Sequence, residues 1–191
     1  MNRSAKQALA VIGAWTAILL ITFSYAAHVD KMRAKPSQPG AASLPTAPDP
    51  KYLAALEVAG VFGRAPGCAN AGPELITAVA NESVKMKLDA RTFAALIAVE
   101  SGCNQYATST RGAIGLTMVV PRVWKGTYDF ETTYNLLNRA DNLHVGASIL
   151  SGMITQYGPA LGLRHYNGMN IESTSFDADY TSKILSLAGR K

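Results

Sequence analysis

The chain has 191 residues, 48% hydrophobic and 16% charged, so it is long enough for one folded domain with additional segments and too apolar for a disordered protein. The net charge of +5 does not indicate nucleic-acid binding, because residues 51–191 carry 13 Lys and Arg against 11 Asp and Glu, which places most of the excess near the amino terminus. Two cysteines are too few for a scaffold held by several disulfides. They do not form a Cys-x-x-Cys pair, so the cysteine spacing does not predict a zinc site.

The first predicted element is a membrane-spanning helix. Residues 8–27 contain no charged side chain, and twenty helical residues span about 30 Å, the thickness of a hydrocarbon core. The sequence therefore predicts a signal anchor over residues 1–30, with cleavage after Ser24-Tyr25-Ala26 as the alternative. Ten of the twenty residues are Ala, Gly, Ser or Thr, which predicts a weak hold on the bilayer.

A proline-rich segment comes next. Five prolines lie between residues 36 and 50, among Ser, Ala, Gly and Thr. Prolines at this density favour an extended, semi-rigid spacer. We predict a tether over residues 31–65 and a single domain over residues 66–191.

The domain is predicted to be mainly α-helical. Pro73, after Gly72, indicates a helix start, Asp89 is a good N-cap, and Gly102 is a good helix end. Apolar residues recur in threes and fours along the predicted helices, which cover about residues 73–88, 89–102, 138–157, 159–165 and 177–188. A short hairpin between residues 124 and 133 is the only predicted strand structure.

Glu100 is the candidate catalytic residue. It lies on the last turn of a largely apolar helix, directly after Ala98 and Val99. A carboxyl group against apolar walls has its charged form destabilised, so its pKa rises and it can donate a proton near neutral pH. A glycosidase general acid needs this property. The alternative is an ordinary solvated glutamate at a helix end.

Four motifs around Glu100 resemble the soluble lytic transglycosylase family. Glu100-Ser101-Gly102-Cys103-Asn104 resembles its E-S-x-aromatic-N element, and Ser109 follows nine residues after the glutamate, as in the family. Residues 112–121, GAIGLTMVVP, resemble its G-A-x-G-L-M-Q-I-x-P element. Residues 142–147 and 165–168 resemble its N-I-x-x-G-A helix and its A-Y-N-A-G element.

This resemblance implies a lysozyme-like helical fold with a substrate cleft, and peptidoglycan as the substrate. Glu100 would protonate the oxygen between N-acetylmuramic acid and N-acetylglucosamine, then act as base on the muramic 6-hydroxyl to close a 1,6-anhydro ring. Substrate-binding roles are carried over to six matched residues: Ser109, Gly115, Leu116, Met118, Tyr166 and Asn167. No cofactor or metal is implied, and the three histidines are scattered along the chain.

The sequence departs from the family pattern at two points. Thr117-Met118 replaces the Met-Gln pair, which removes an amide that normally faces the cleft. Cys103 replaces the usual aromatic residue, and it could form a disulfide with Cys68 in an oxidising compartment, with two buried thiols as the alternative.

Two other functions are left open. A hydrolytic muramidase would need a second carboxylate, for which Asp129, Glu131 and Asp141 are available. A non-catalytic, anchored wall-binding scaffold is the other alternative, and the altered Thr117-Met118 pair favours it.

The weak anchor resembles that of phage signal-arrest-release endolysins, while secretion and housekeeping roles would use the same domain. We expect a monomer held in the inner membrane by residues 8–27, with its catalytic domain in the periplasm and possible release there.

Overall fold

The computed structural model describes residues 47–168 and 178–190, and this part of the chain is helical. Seven α-helices and one 3₁₀ turn, Pro66–Cys68, are present in these residues. The helices are α1 Pro50–Phe62, α2 Pro73–Lys85, α3 Ala90–Ser101, α4 Pro121–Trp124, α5 Arg139–Tyr157, α6 Pro159–Tyr166 and α7 Ala178–Leu187. β-structure within the two ranges is limited to isolated bridges that join Ile114 to Thr108 and to Val119.

Local signals in the sequence set the boundaries of α3 and the start of α5. The Asp89 carboxylate accepts the Thr92 N–H at 2.9 Å and caps α3, which ends where Gly102 adopts φ +56°. The Asn138 side chain accepts the N–H groups of Ala140 and Asp141 and caps α5. These caps confirm the predicted starts of both helices.

Helix α3 forms the centre of the core. Its residues Phe93, Leu96 and Ile97 have no exposed surface, and α1, α2 and α7 pack around it. Helix α5 contributes Leu143 and Leu150 to the same core.

A smaller apolar cluster lies on another face of α5. Val145 and Ile149 pack there with Val119 and Leu136, which belong to the long segment between α3 and α5. Helix α5 therefore fixes this segment against the α3 core.

Two predictions about local structure were wrong. The folded domain begins earlier than residue 66, because α1 lies inside the predicted tether, with Val58, Val61 and Phe62 buried in the core. The predicted hairpin between residues 124 and 133 is a series of turns, because the Asp129 carboxylate accepts the N–H groups of Glu131 and Thr132.

A disulfide joins Cys68 of the 3₁₀ turn to Cys103, with the two Cα atoms 5.1 Å apart. The structure thus has a covalent bond at this position rather than two free thiols. Cys103 lies three residues after Glu100, so the bond holds the end of α3 against the 3₁₀ turn.

The predicted anchor over residues 1–30 and the proline-rich stretch before residue 47 lie outside the described residues. Of the helices that are described, none is both long and apolar enough to span a membrane.

Candidate active site

Glu100 is the penultimate residue of α3 and is half-buried at the end of the most deeply buried helix. Burial raises the pKa of its carboxyl group, because the charged form loses solvation. A hydrogen bond from Tyr180 acts in the opposite direction and stabilises the carboxylate. Burial is the larger effect, so the carboxyl group holds its proton to higher pH than an exposed glutamate would.

Tyr180 of α7 is the direct partner of Glu100. Its hydroxyl donates to Oε1 of the carboxyl group at 2.5 Å, and only 7% of the residue is exposed. Burial and the nearby carboxylate both raise the pKa of Tyr180, so the phenol stays protonated and remains a donor.

Tyr180 was not predicted from the sequence as a site residue. It lies on the apolar side of a predicted helix, where a tyrosine is most often a core residue, and 80 residues separate it from Glu100. The one available signal was chemical: a buried tyrosine hydroxyl needs a hydrogen-bond partner.

Glu100 lines a cavity of about 370 Å³, which we call the Glu100 cavity. Its walls come from α3, α4, α5, α6 and the segment between α3 and α4. Five of the predicted site residues lie together on these walls: Glu100, Ser109, Met118, Tyr166 and Asn167.

Ser109 is held at the cavity wall by a tight turn. Its hydroxyl oxygen accepts the Ala113 N–H at 3.0 Å, and its own N–H donates to the Ala113 carbonyl at 3.1 Å. Gly112 closes the turn with φ +80°, a conformation that favours glycine. The Ser109 oxygen is thus fixed, and its hydroxyl proton can be donated to a ligand.

Tyr166, the last residue of α6, lies on another wall. Its hydroxyl donates to the Thr117 carbonyl at 2.8 Å. Burial raises the pKa of Tyr166, and the charge of Glu100 raises it further, so this phenol also stays neutral. Asn167 follows directly and is exposed.

Thr117 and Met118, where the sequence departs from the family pattern, lie in different surroundings. The Thr117 side chain is fully buried and donates to Asn142 Oδ1 at 2.8 Å, whereas Met118 adopts φ +50° and lies on the cavity wall. An apolar thioether therefore stands where the family pattern has a polar amide.

Asn142 holds this loop in place from α5. It is 1% exposed, its Oδ1 accepts the Thr117 N–H at 2.9 Å, and its Nδ2 donates to the carbonyl groups of Ile114 and Leu136. A single buried amide thus satisfies backbone groups on both sides of the loop.

Two predicted substrate-binding residues are not on the cavity walls. Leu116 has no exposed surface and packs in the α3 core. Gly115 is buried with φ +81°, and a Cβ there would lie 2.1 Å from Asn142 Nδ2. Gly115 lets the loop approach α5 closely, and Leu116 holds the loop in the core, which corrects the expected contact of both residues with substrate.

Other residues on the cavity walls had no role predicted from the sequence. Four of them have charged or aromatic side chains: Arg111, Arg122, Trp124 and His165. The His165 ring stacks on Tyr157, with ring centroids 3.9 Å apart. His165 lies inside the motif at residues 165–168, and the other three lie within three residues of a motif residue, which is the signal that could have indicated them.

The carboxylates considered for a hydrolytic mechanism lie elsewhere. Asp129, Glu131 and Asp141 are absent from the described walls of the Glu100 cavity, on which Glu100 is the only acid. Asp129 caps its own turn, and Asp141 accepts the Asn135 N–H at 3.0 Å. In the described ranges, no three His, Cys, Asp or Glu residues are grouped to hold a metal ion.

The chain is similar to a known protein family. No curated protein and no solved structure matches the chain. The family model of the transglycosylase SLT domain matches residues 77–180, more than half of the chain, and this span includes the Glu100 cavity and Tyr180. The chain therefore belongs to the SLT transglycosylase family and is a lytic-transglycosylase-type enzyme that acts on peptidoglycan.

Proposed function

We propose that this enzyme cleaves the β-1,4 bond between N-acetylmuramic acid and N-acetylglucosamine and forms a 1,6-anhydro ring on the muramic acid. The observation that carries the proposal is Glu100, a half-buried carboxyl group with a raised pKa on a cavity that also presents Ser109, Tyr166 and Asn167.

In the first step, the protonated Glu100 carboxyl donates its proton to the glycosidic oxygen, the bond from that oxygen to muramic C1 breaks, and the N-acetylglucosamine hydroxyl leaves. The carboxylate left behind is stabilised by the Tyr180 hydroxyl. In the second step, the carboxylate removes the proton of the muramic 6-hydroxyl, whose oxygen bonds to C1. Glu100 regains its proton, and no water is consumed.

The lack of a second carboxylate on the described walls of the Glu100 cavity supports this route over hydrolysis. An inverting hydrolase positions its water with a second acid about 6.5–9.5 Å from the first. The described walls of the Glu100 cavity carry hydroxyl, amide and cationic groups. Besides Glu100, these walls have no acid that could position the water.

Mass spectrometry of digested peptidoglycan tests the reaction. The full-length chain should release muropeptides that end in 1,6-anhydro-N-acetylmuramic acid, each one water lighter than a hydrolysis product. Glu100→Gln should release none, whereas Glu74→Gln, the same change at an exposed position, should act like the unaltered enzyme. Reducing ends would instead identify a muramidase, and wall binding without cleavage would identify a scaffold.

For the biological role, we propose a phage lysis enzyme that waits in the inner membrane and acts after release. The support is in the sequence: residues 8–27 are uncharged and half of them are small or hydroxylated, so the anchor is weak. Fractionation of cells before and after collapse of the proton-motive force tests the role. The chain should move from the membrane to the periplasm, and a chain that stays in the membrane would refute it.

A further inference from the structure

Two arginines that line the Glu100 cavity differ from the other arginines in residues 47–168 and 178–190 in having no partner among the described residues. Five of the seven arginines there have a partner within the protein: Arg64, Arg91, Arg139, Arg164 and Arg190. Arg111 and Arg122 have no hydrogen bond or ion pair with a described residue, and these two line the Glu100 cavity. Among the described arginines, those without a partner are thus concentrated at the site of the chemistry.

The backbone holds both arginines at the cavity. Arg111 lies inside the turn that fixes Ser109, which the Gly112 N–H closes by donating to the Ser109 carbonyl at 2.9 Å. Arg122 is the second residue of α4, which starts at Pro121. Both side chains are exposed, so they can reach a ligand without a change in the fold.

The charges on the walls favour an anionic ligand. Glu100 is the only acid among the described wall residues, and in the state that donates a proton it is neutral. The cavity then presents two guanidinium groups without an opposing carboxylate. A guanidinium group offers several N–H donors in a planar arrangement that matches a carboxylate. The hydroxyl and acetamido groups of a sugar do not require such charges.

We infer that Arg111 and Arg122 bind a carboxylate borne by the muramic acid of the substrate, an inference that rests on the proposed function. Muramic acid carries a lactyl group, which ends in a free carboxylate when no peptide is attached. When a stem peptide is attached, the peptide supplies carboxylates instead. The two arginines thus make the site selective for acidic glycan strands over neutral polymers of N-acetylglucosamine.

Binding of three glycans to the full-length chain tests this inference. Equilibrium binding is measured in the Glu100→Gln background, which prevents turnover, with stem-bearing strands, stem-free strands and neutral N-acetylglucosamine oligosaccharides. The variants are Arg111→Gln, Arg122→Gln and the double substitution. The matched control is Lys51→Gln with Lys87→Gln, which removes the same charge from two exposed residues outside the cavity.

Each arginine substitution should weaken binding of a carboxylate-bearing strand about fivefold, the upper end for an exposed charge pair. The effect should shrink at high salt, and binding of the neutral oligosaccharide should stay unchanged. With Glu100 intact, KM should rise while kcat stays the same. A loss on stem-free strands assigns the lactyl carboxylate, and a loss confined to stem-bearing strands assigns the peptide; either outcome supports the inference.

Three results would overturn it: unchanged binding of both acidic strands by the double variant, an equal loss for the neutral oligosaccharide, or an equal loss in the lysine control. Melting temperatures establish that each variant is folded. Failure of the proposed function is a separate outcome, since it would appear as a lack of anhydro products from the chain with Glu100 intact, whatever the arginine variants bind.

Discussion

Replacing Tyr180 with phenylalanine removes the hydroxyl that donates to Glu100 and keeps the ring that fills the core. A hydrogen bond to a charged acceptor contributes about 1.5–3 kcal/mol, and one to a neutral acceptor contributes about 1 kcal/mol. The bond therefore favours the carboxylate over the carboxylic acid by about 0.5–2 kcal/mol, and the middle of this range corresponds to about one pH unit. Without it, the pKa of Glu100 rises further.

Since Glu100 must be protonated to act as an acid, the fall in activity on the alkaline side should move up by about one pH unit in Tyr180→Phe. The measurement is kcat/KM on purified peptidoglycan as a function of pH. Tyr128→Phe is the matched control, because its hydroxyl bonds to Ser148 at 2.9 Å and makes no bond to Glu100. An alkaline limb that stays in place or moves to lower pH would refute the assigned role of Tyr180.

Three further predictions concern stability. Because burial raises the pKa of Glu100 above its usual 4.5, the folded state binds this proton more tightly than the unfolded chain does. The folded state therefore loses stability as pH rises from about 4.5 to the higher pKa of Glu100 in the folded protein. Glu100→Gln should therefore stabilise the protein in urea unfolding at pH 8 more than at pH 4, and an equal effect at both would contradict the assignment. Gly146→Ala should cost about 1–3 kcal/mol, since its Cβ would lie 2.3 Å from a buried threonine side chain, whereas Gly152→Ala, in open space on the same helix, should gain about 0.5–1 kcal/mol. Replacing both Cys68 and Cys103 with alanine should lower the free energy of unfolding by up to about 4 kcal/mol, because the disulfide joins residues 35 apart. A reductant should lower the melting temperature of the unaltered protein and leave that of the double variant unchanged.

The sequence predicted the helices that carry strong end signals. Asp89 and Asn138 have side chains that cap a helix, so α3 and α5 start where expected. Helix α1 also has start signals, with Asp49 as its N-cap and Pro50 at its first turn, but its apolar residues lie on all sides and include two exposed leucines, so no amphipathic pattern marked it. Its proximity to the prolines then led to the prediction of a tether.

The candidate site was predictable only where residues are close along the chain or belong to a known motif. Glu100 and Ser109 are nine residues apart and lie on one cavity. Tyr180 reaches Glu100 from 80 residues away, through the packing of α7 on α3, and no pattern within α7 encodes that contact. The unpaired state of Arg111 is likewise a property of the folded surroundings.

The contact between the 115–117 loop and α5 limits the substitutions that this chain can accept at both places. A side chain at Gly115 would collide with Asn142, and one at Gly146 would collide with Thr117. Thr117 and Asn142 are themselves joined by hydrogen bonds. A larger side chain at either glycine therefore needs a compensating change in the residue that faces it, so the loop that leads to Met118 and the helix behind it constrain each other's sequences.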